Sequence, residues 1–255
     1  MANIFDCKTI ADLMIQDVAE KVKTLNNSPF LVGVRLDGEN GPSMYANGIK
    51  KDCKKCGILY SEYLMDKDDT IEGWNKRIAM LNQDNTVDGV IIFTPCPDIT
   101  QRILPEKDVD ARDSNLYYEP CTPSAAIKVL LESNIEIAGK YAIVIGRSNT
   151  VGKPMARLLL DNDATVTICH SKVDDISKYC RDADIIISAT GIKDLVTCNM
   201  VKGGAAVIDV SRIDTKFDEV DRVAGIVTSQ KNGLGLVTRA VLMEHVLNAA
   251  MRKEM

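Results

Sequence analysis

The 255-residue sequence has few aromatic side chains, no excess of basic charge and no long apolar run. Aromatic residues make up 5% of the chain and hydrophobic residues 45%, so any core must be mainly aliphatic. A formal net charge of -5 argues against a nucleic-acid partner, because a general nucleic-acid binder presents a basic face. Small anionic ligands remain open, since helix dipoles and single side chains bind them.

Targeting signals and metal-binding patterns are also missing. No stretch approaches the roughly 20 apolar residues that span a bilayer, and no basic start precedes an apolar run at the N-terminus. We therefore expect a cytoplasmic protein without a membrane partner. The eight cysteines are scattered, which indicates reduced thiols. Cys53 and Cys56 have CxxC spacing without a second pair, which favours two thiols of a helix over a metal or redox site.

Helical and strand patterns alternate along the chain, which predicts an α/β fold with parallel βαβ units. The first series contains predicted helices at 8–25, 43–57 and 71–83 and strands at 30–35 and 88–93. A proline-containing linker at 119–124 leads into a helix at 124–133. The second series contains predicted strands at 141–145, 165–169, 184–188 and 206–210, and a last helix spans 238–252.

The segment 142–156 reads as a strand, a glycine turn and a helix. Gly146 permits a tight turn, and the helix N-terminus offers free N–H groups to a phosphate. The turn is a variant of the G-x-G-x-x-G dinucleotide fingerprint, with Ser148 in the second glycine place and Val151 in the third. A plain strand-to-helix turn is the alternative interpretation.

The end of the next strand bears on the choice of cofactor. An NAD site usually has an acidic residue there for the ribose hydroxyl. Here no carboxylate occurs before Asp174, whereas Arg147, Ser171 and Lys172 are suited to a 2′-phosphate. The pattern favours NADP and leaves NAD possible.

Small residues also follow the strand at 184–188. Thr190 and Gly191 let a ligand lie close to the strand end, as expected beside a reversal of strand order, although an ordinary turn has the same composition. Of the two histidines, we interpret His170 as a residue at the cofactor side and His245 as structural or exposed.

Six motifs together resemble the methylenetetrahydrofolate dehydrogenase/methenyltetrahydrofolate cyclohydrolase family. The resemblance covers nearly the whole chain. The motifs are PEKDVD at 105–110, PCTPSA at 120–125, AGK at 138–140, VIGRSNTVGKPMA at 144–156, ATVT at 164–167 and CHS at 169–171.

The resemblance implies a fold and an activity. It implies a catalytic, folate-binding domain at 1–120, a Rossmann-type NAD(P)-binding domain at 121–237, and a C-terminal helix at 238–255 that returns to the first domain. A folate-binding cleft between the domains and a homodimer are also implied. The implied reactions of one-carbon metabolism are hydride transfer from methylenetetrahydrofolate to NADP and hydrolysis of the product to 10-formyltetrahydrofolate.

The resemblance also implies site residues. Tyr45 and Asp110 match the family's catalytic tyrosine and pterin-binding aspartate, although Ala111 replaces the glycine that usually follows. The implied substrate-binding residues are Tyr45, Phe93, Pro95, Asp110, Gly233 and Gly235. The implied cofactor-binding residues are Gly146, Arg147, Ser148, Val151, Ser171, Thr190, Gly191 and Arg212.

The sequence departs from the family pattern at several places: the loop at 229–238 lacks the family's prolines, Arg212 replaces an isoleucine, and two departures fall on a catalytic pair. Ile49 stands where the family has its catalytic lysine, and Phe93 stands where it has a glutamine. Ile49 cannot exchange a proton, so general acid–base catalysis, worth about 10²–10⁴-fold, is lost there. Hydride transfer depends chiefly on positioning. We expect dehydrogenase activity to survive better than cyclohydrolase activity. The alternatives are an NAD(P)-dependent oxidoreductase with a non-folate substrate and a non-catalytic NADP-binding paralogue.

Overall fold

The computed structural model describes residues 3–38, 44–93, 95–111 and 117–254. The chain forms two compact units. One combines Met1–Ala11 with Pro120–Thr238, and the other combines Asp12–Glu119 with Arg239–Met255.

The described residues contain strands and helices in alternation. The strands are β1 (Asn3–Phe5), β2 (Phe30–Leu36), β3 (Leu59–Met65), β4 (Gly89–Ile92), β5 (Tyr141–Ile145), β6 (Thr165–Cys169), β7 (Ile185–Ser188), β8 (Ala206–Asp209) and β9 (Ile226–Thr228). The helices are α1 (Cys7–Val22), α2 (Met44–Cys56), α3 (Ile71–Gln83), α4 (Cys121–Glu132), α5 (Gly152–Asp161), α6 (Ser177–Cys180), α7 (Phe217–Val220) and α8 (Gly235–Glu254), with a short 3₁₀ turn at Cys198–Met200.

The larger sheet belongs to the unit that contains Pro120–Thr238. Its strands are all parallel and lie in the order β1-β9-β8-β7-β5-β6. Strands β7 and β8 are buried along their whole length and consist mostly of β-branched residues. Such runs are typical of parallel strands covered on both faces, which explains why a continuous aliphatic core forms here.

The smaller sheet belongs to the other unit and is also parallel, in the order β3-β2-β4. Helix α3 packs on it through Trp74 and Ile78, both fully buried. Thr70 is the N-cap residue of this helix, and its hydroxyl accepts a hydrogen bond from the N–H of Gly73 at 3.1 Å.

The structure confirms the α/β class and the parallel βαβ organisation. Strands β1, β3 and β9 were not predicted from the sequence. Strands β1 and β9 have only three residues each, too few for a periodic pattern, and β3 is an edge strand of mixed polarity. No helix in the described part of the chain is long and apolar enough to cross a membrane.

Candidate functional site

The carboxyl ends of four neighbouring strands lie level at one edge of the six-stranded sheet. Ile145 of β5 pairs in register with Cys169 of β6 and with Ser188 of β7. Ser188 in turn pairs with Asp209 of β8. After β5 the chain crosses to β6 on one side and then to β7 on the other, so the strand order reverses between β5 and β7. Open parallel sheets bind ligands in the crevice at such a reversal.

The turn after β5 requires glycine at two positions. Gly146 has a φ of +119°, and a Cβ built on it would lie 2.6 Å from the carbonyl oxygen of Ala189. A Cβ on Gly152 would collide with the carbonyl of Gly146. The turn is therefore closed tightly against the end of β7, which glycine at both positions makes possible.

Ser148 shapes the start of α5. Its hydroxyl oxygen accepts hydrogen bonds from the N–H groups of Val151 and Gly152, at 3.1 and 3.2 Å. Val151 is the N-cap residue but makes no side-chain cap hydrogen bond, so Ser148 performs that function from three residues earlier. Arg147 and Ser148 are exposed on the turn, where a bound phosphate has access to them.

In the turn after β6, no acidic residue occurs between Cys169 and Asp174. Ser171 and Lys172 are exposed, and the backbone N–H of Lys172 donates to Nδ1 of His170 at 3.2 Å. Asp175 is engaged at α6, because it accepts from the backbone N–H and the hydroxyl of Ser177. These side chains fit a phosphate better than a ribose diol.

The turn after β7 is held by a carboxylate that the sequence patterns did not indicate. Oδ2 of the fully buried Asp214 accepts from the Ser188 hydroxyl at 2.7 Å and from the Thr190 N–H and hydroxyl at 2.7 and 2.9 Å. The N–H of Gly191 donates to the Ser211 hydroxyl at 3.1 Å. An acidic residue in the loop after β8 was the only sequence signal for this arrangement.

The turn after β8 has its own buried carboxylate. Asp209 accepts from the N–H of Arg212 at 2.7 Å and from the N–H and hydroxyl of Thr215, both at 2.8 Å. Burial raises the pKa of Asp209, and the negative charge of Asp214 acts in the same direction. These bonds fix a tight loop in which Arg212 takes a φ of +66°.

Arg212 and Gly233 are neighbours in the structure. A Cβ built on Gly233 would lie 2.7 Å from Cγ and Cδ of Arg212, so the arginine stem rests on the glycine. Gly235 begins α8 and is exposed, with open space around it.

In the other unit, Tyr45 and Phe93 form an aromatic pair. Their ring centroids lie 6.5 Å apart in an edge-to-face arrangement, with Tyr45 half-buried and Phe93 9% exposed. Ile49, one turn after Tyr45 on α2, is fully buried. Lys50 lies on the exposed side of α2. Ile49 and Phe93, which the sequence resemblance matches to the family's lysine and glutamine, are thus both buried and apolar.

Three hydrogen-bonded polar side chains lie on the same sheet face as Phe93. The Tyr60 hydroxyl donates to Oε1 of Glu62 at 2.8 Å, and Nε of Arg35 donates to Oε2 of Glu62 at 2.7 Å. A Cβ built on Gly33 would lie 2.8 Å from both the Tyr60 hydroxyl and Cε2 of Phe93. Gly33 therefore makes room for both side chains.

The half-buried Asp110 lies in a segment that is fixed on both sides. The buried ammonium of Lys107 donates to three carbonyl oxygens at the end of α3, and the Val109 carbonyl oxygen lies 2.8 Å from Nδ1 of His245 on α8. Ala111 has a φ of +50°, so it keeps the left-handed backbone for which glycine is the usual residue. Pro95 is exposed beyond the end of β4.

The cysteine pair of α2 is buried and unbridged. Burial raises the pKa of Cys53 well above its ordinary value and that of Cys56 to about 12, so neither is a reactive thiolate. No cluster of three or more His, Cys, Asp or Glu side chains suited to a metal ion occurs among the described residues.

These features define the class of protein: a two-unit α/β protein with a dinucleotide-type turn at a reversal of strand order. Comparison with known families is specific. The catalytic-domain model of tetrahydrofolate dehydrogenase/cyclohydrolase matches residues 5–110, and the NAD(P)-binding-domain model of the same family matches residues 120–254. The chain belongs to the tetrahydrofolate dehydrogenase/cyclohydrolase family.

Individual relatives agree with this membership. The bifunctional protein FolD of Caldicellulosiruptor saccharolyticus is 38% identical over 93% of this chain and 95% of its own. The crystal structure of FolD from Campylobacter jejuni has a TM-score of 0.93 at 31% identity and covers 99% of this chain and 100% of its own. FolD of Trypanosoma brucei, solved with NADP and an inhibitor, has a TM-score of 0.91 at 29% identity and covers 99% of this chain and 98% of its own.

Proposed function

We propose that this protein is an NADP-dependent 5,10-methylenetetrahydrofolate dehydrogenase of one-carbon metabolism with little or no cyclohydrolase activity. The observation that carries the proposal is the pair of buried apolar side chains at Ile49 and Phe93. Family membership supports a folate substrate and does not favour the non-folate oxidoreductase or the non-catalytic paralogue.

The glycine turn supports a dinucleotide cofactor. Side chains at Gly146 and Gly152 would collide with the carbonyl oxygens of Ala189 and Gly146, so glycine at both positions permits the tight strand-to-helix turn that is typical of a dinucleotide site. Exposed Arg147, Ser171 and Lys172 provide the charge and donors for a 2′-phosphate, which supports NADP over NAD. We propose that the remaining cofactor contacts are made by Ser148, Val151, Thr190, Gly191 and Arg212.

The proposed substrate role rests on residues of the other unit and on two glycines at the start of α8. We propose that Tyr45 and Asp110 bind and orient the folate, with Phe93, Pro95, Gly233 and Gly235 as further contacts. NADP, when bound, accepts the hydride that leaves the one-carbon bridge of methylenetetrahydrofolate. The protein's part in that step is to align the bridge and keep water out.

The hydrolytic step needs a proton-transfer group that this pair of positions does not provide. Water must be activated for attack on the methenyl carbon, and side-chain acid–base help is typically worth about 10²–10⁴-fold. An aliphatic side chain at Ile49 neither donates nor accepts a proton, and Phe93 has no polar atom to orient one. Hydride transfer is preserved because it depends chiefly on the alignment of the one-carbon bridge with the nicotinamide.

We also propose the division of functions that is expected from the sequence. Residues 1–120 bind the folate, residues 121–237 bind the cofactor, and the helix at 238–255 belongs to the folate-binding part. The grouping of Asp12–Glu119 with Arg239–Met255 supports it, whereas β1 pairs with β9 of the larger sheet. A cytoplasmic homodimer is part of the same proposal, and sedimentation velocity measures that assembly directly.

The test is a coupled spectroscopic assay of the purified protein. With methylenetetrahydrofolate and NADP we expect methenyltetrahydrofolate to accumulate and to decay no faster than it does in enzyme-free buffer. The bifunctional Campylobacter jejuni enzyme is the positive control. Rapid hydrolysis of added methenyltetrahydrofolate would overturn the proposed loss of cyclohydrolase activity, and absence of NADP reduction would overturn the dehydrogenase.

A further inference from the structure

Asp214 is connected to the glycine turn by a short chain of contacts. Its Oδ2 accepts from Ser188 and Thr190, which flank Ala189. The carbonyl oxygen of Ala189 is the atom against which Gly146 closes. The carboxylate therefore holds Ser188 and Thr190 in place, and Ala189 between them forms the floor of the turn.

A charged acceptor suits this arrangement. Three donors converge on Oδ2, and hydrogen bonds to an ionised carboxylate are about twice as strong as those to a neutral oxygen. The other oxygen, Oδ1, is buried without a hydrogen-bond partner in the described part of the chain. That unsatisfied oxygen lowers stability and offsets part of what the three hydrogen bonds contribute.

A second carboxylate extends the same scaffold to the next strand end. Asp209 fixes the N–H of Arg212 and both donor groups of Thr215, the residue that follows Asp214. The loop after β8 is thereby locked, and it delivers Asp214 to the end of β7. The turns after β5, β7 and β8 are thus coupled through one buried network.

We infer that Asp214 is a positioning residue for the dinucleotide. It holds the end of β7 against the Gly146 turn, so that the sites for the cofactor's phosphates and for its nicotinamide half keep a fixed position relative to one another. Asp214 does not touch the cofactor; it acts through Thr190 and Ala189. The inference rests on the proposed NADP site.

The experiment measures NADPH binding directly by its fluorescence, without folate turnover. Asp214→Asn keeps the shape but gives the three donors a neutral oxygen, so the hydrogen bonds that hold Ser188 and Thr190 are weakened. We expect its NADPH Kd to rise about 10- to 100-fold, the size of effect that misplacement by a distant group produces. Asp214→Ala should raise it at least as much. Asp221→Asn is the matched control, because Asp221 has a buried oxygen without a hydrogen-bond partner in the same unit.

The outcomes separate this inference from the proposed function. If the wild-type protein binds NADPH and Asp214→Asn binds it equally well, Asp214 is not a positioning residue although the cofactor assignment stands. The same conclusion follows if Asp214→Asn only lowers Tm, or if Asp221→Asn raises the Kd as much. An unchanged KM for methylenetetrahydrofolate in Asp214→Asn, together with the raised NADPH Kd, is the expected signature. Failure of the wild-type protein to bind NADPH overturns both proposals.

Discussion

Gly33 and Phe93 share one space in the smaller sheet. A Cβ on Gly33 would lie 2.8 Å from Cε2 of Phe93, and it would lie equally close to the Tyr60 hydroxyl. Glycine inside a strand usually marks a close approach of another group. Here the approaching group is the aromatic ring that the sequence resemblance matches to the family's glutamine, so the glycine in β2 and the aromatic after β4 belong to one packing arrangement.

The first prediction concerns this contact. Gly33→Ala should displace Phe93 or Tyr60 and lower the free energy of unfolding by about 1–3 kcal/mol, the usual cost of overpacking a core. Urea denaturation measures it. Gly38→Ala is the matched control, since a Cβ there meets nothing within 4 Å, and its stability should match the wild type. Equal stability of both variants would show that the ring at 93 moves without cost.

The second prediction concerns the glycine turn. Gly146→Ala combines a φ of +119° with a collision against the Ala189 carbonyl, so we expect a loss of about 3 kcal/mol or more and no detectable NADPH binding. Gly204→Ala is the control, because its φ of +85° is also unfavourable but its Cβ meets open space. It should lose about 1–2 kcal/mol and keep NADPH binding. Retained binding by Gly146→Ala would contradict the assignment of the turn.

For the cofactor site, the sequence predicted only the features that are formed by residues close together in the chain. The strand, turn and helix around Gly146 follow one another within fifteen residues, so periodicity and glycine placement predict them. Asp214 lies 24 residues from Thr190, and nothing in the intervening sequence indicates that they meet. Hydrogen bonds between distant turns depend on strand order and register, which a single sequence does not specify.

The residues proposed to bind the substrate were likewise predictable only where they lie close together in the sequence. The helix predicted at 43–57 places Tyr45 and Ile49 on one face, since residues four apart lie on the same side. The pairing of Phe93 with Gly33, 60 residues apart, required the order β3-β2-β4, and β3 itself was missed. Motif resemblance marked the departures at Ile49 and Phe93, but only the three-dimensional structure explains how an aromatic ring fits there.

The third prediction is a pH dependence. Asp184 accepts from Nζ of Lys202 at 2.7 Å and from the N–H of Tyr141 at 3.0 Å. The hydrogen bond from Lys202 is the main cause that lowers the pKa of Asp184 below its ordinary 3.8. Because the folded-state pKa lies below the unfolded value, the stabilisation is present above about pH 3.8 and is lost as the pH falls through the lower folded value.

Asp184→Asn should therefore be less stable than the wild type at pH 7, by up to about 1 kcal/mol for a partly exposed pair. The difference should shrink as the pH is lowered from 5 to 2 in thermal denaturation. Lys202→Met removes the same ion pair from the other side and should reproduce the effect. A stability difference that is independent of pH would contradict the assigned role of the carboxylate charge.

The last prediction restores the family's polar pair. Ile49→Lys alone places an ammonium in a fully buried apolar position, so it should be destabilised and gain little activity. Adding Phe93→Gln removes the ring and supplies an amide oxygen as an acceptor, so the double variant should hydrolyse methenyltetrahydrofolate faster than the wild type, by up to about 10²–10⁴-fold. Lys50→Ala is the control, because Lys50 is exposed on α2 and should leave both activities unchanged. Decay of methenyl absorbance gives the hydrolysis rate and NADP reduction gives the dehydrogenase rate. If the folded double variant oxidises methylenetetrahydrofolate but hydrolyses the product no faster than the wild type, Ile49 and Phe93 are not the cause of the proposed loss of cyclohydrolase activity.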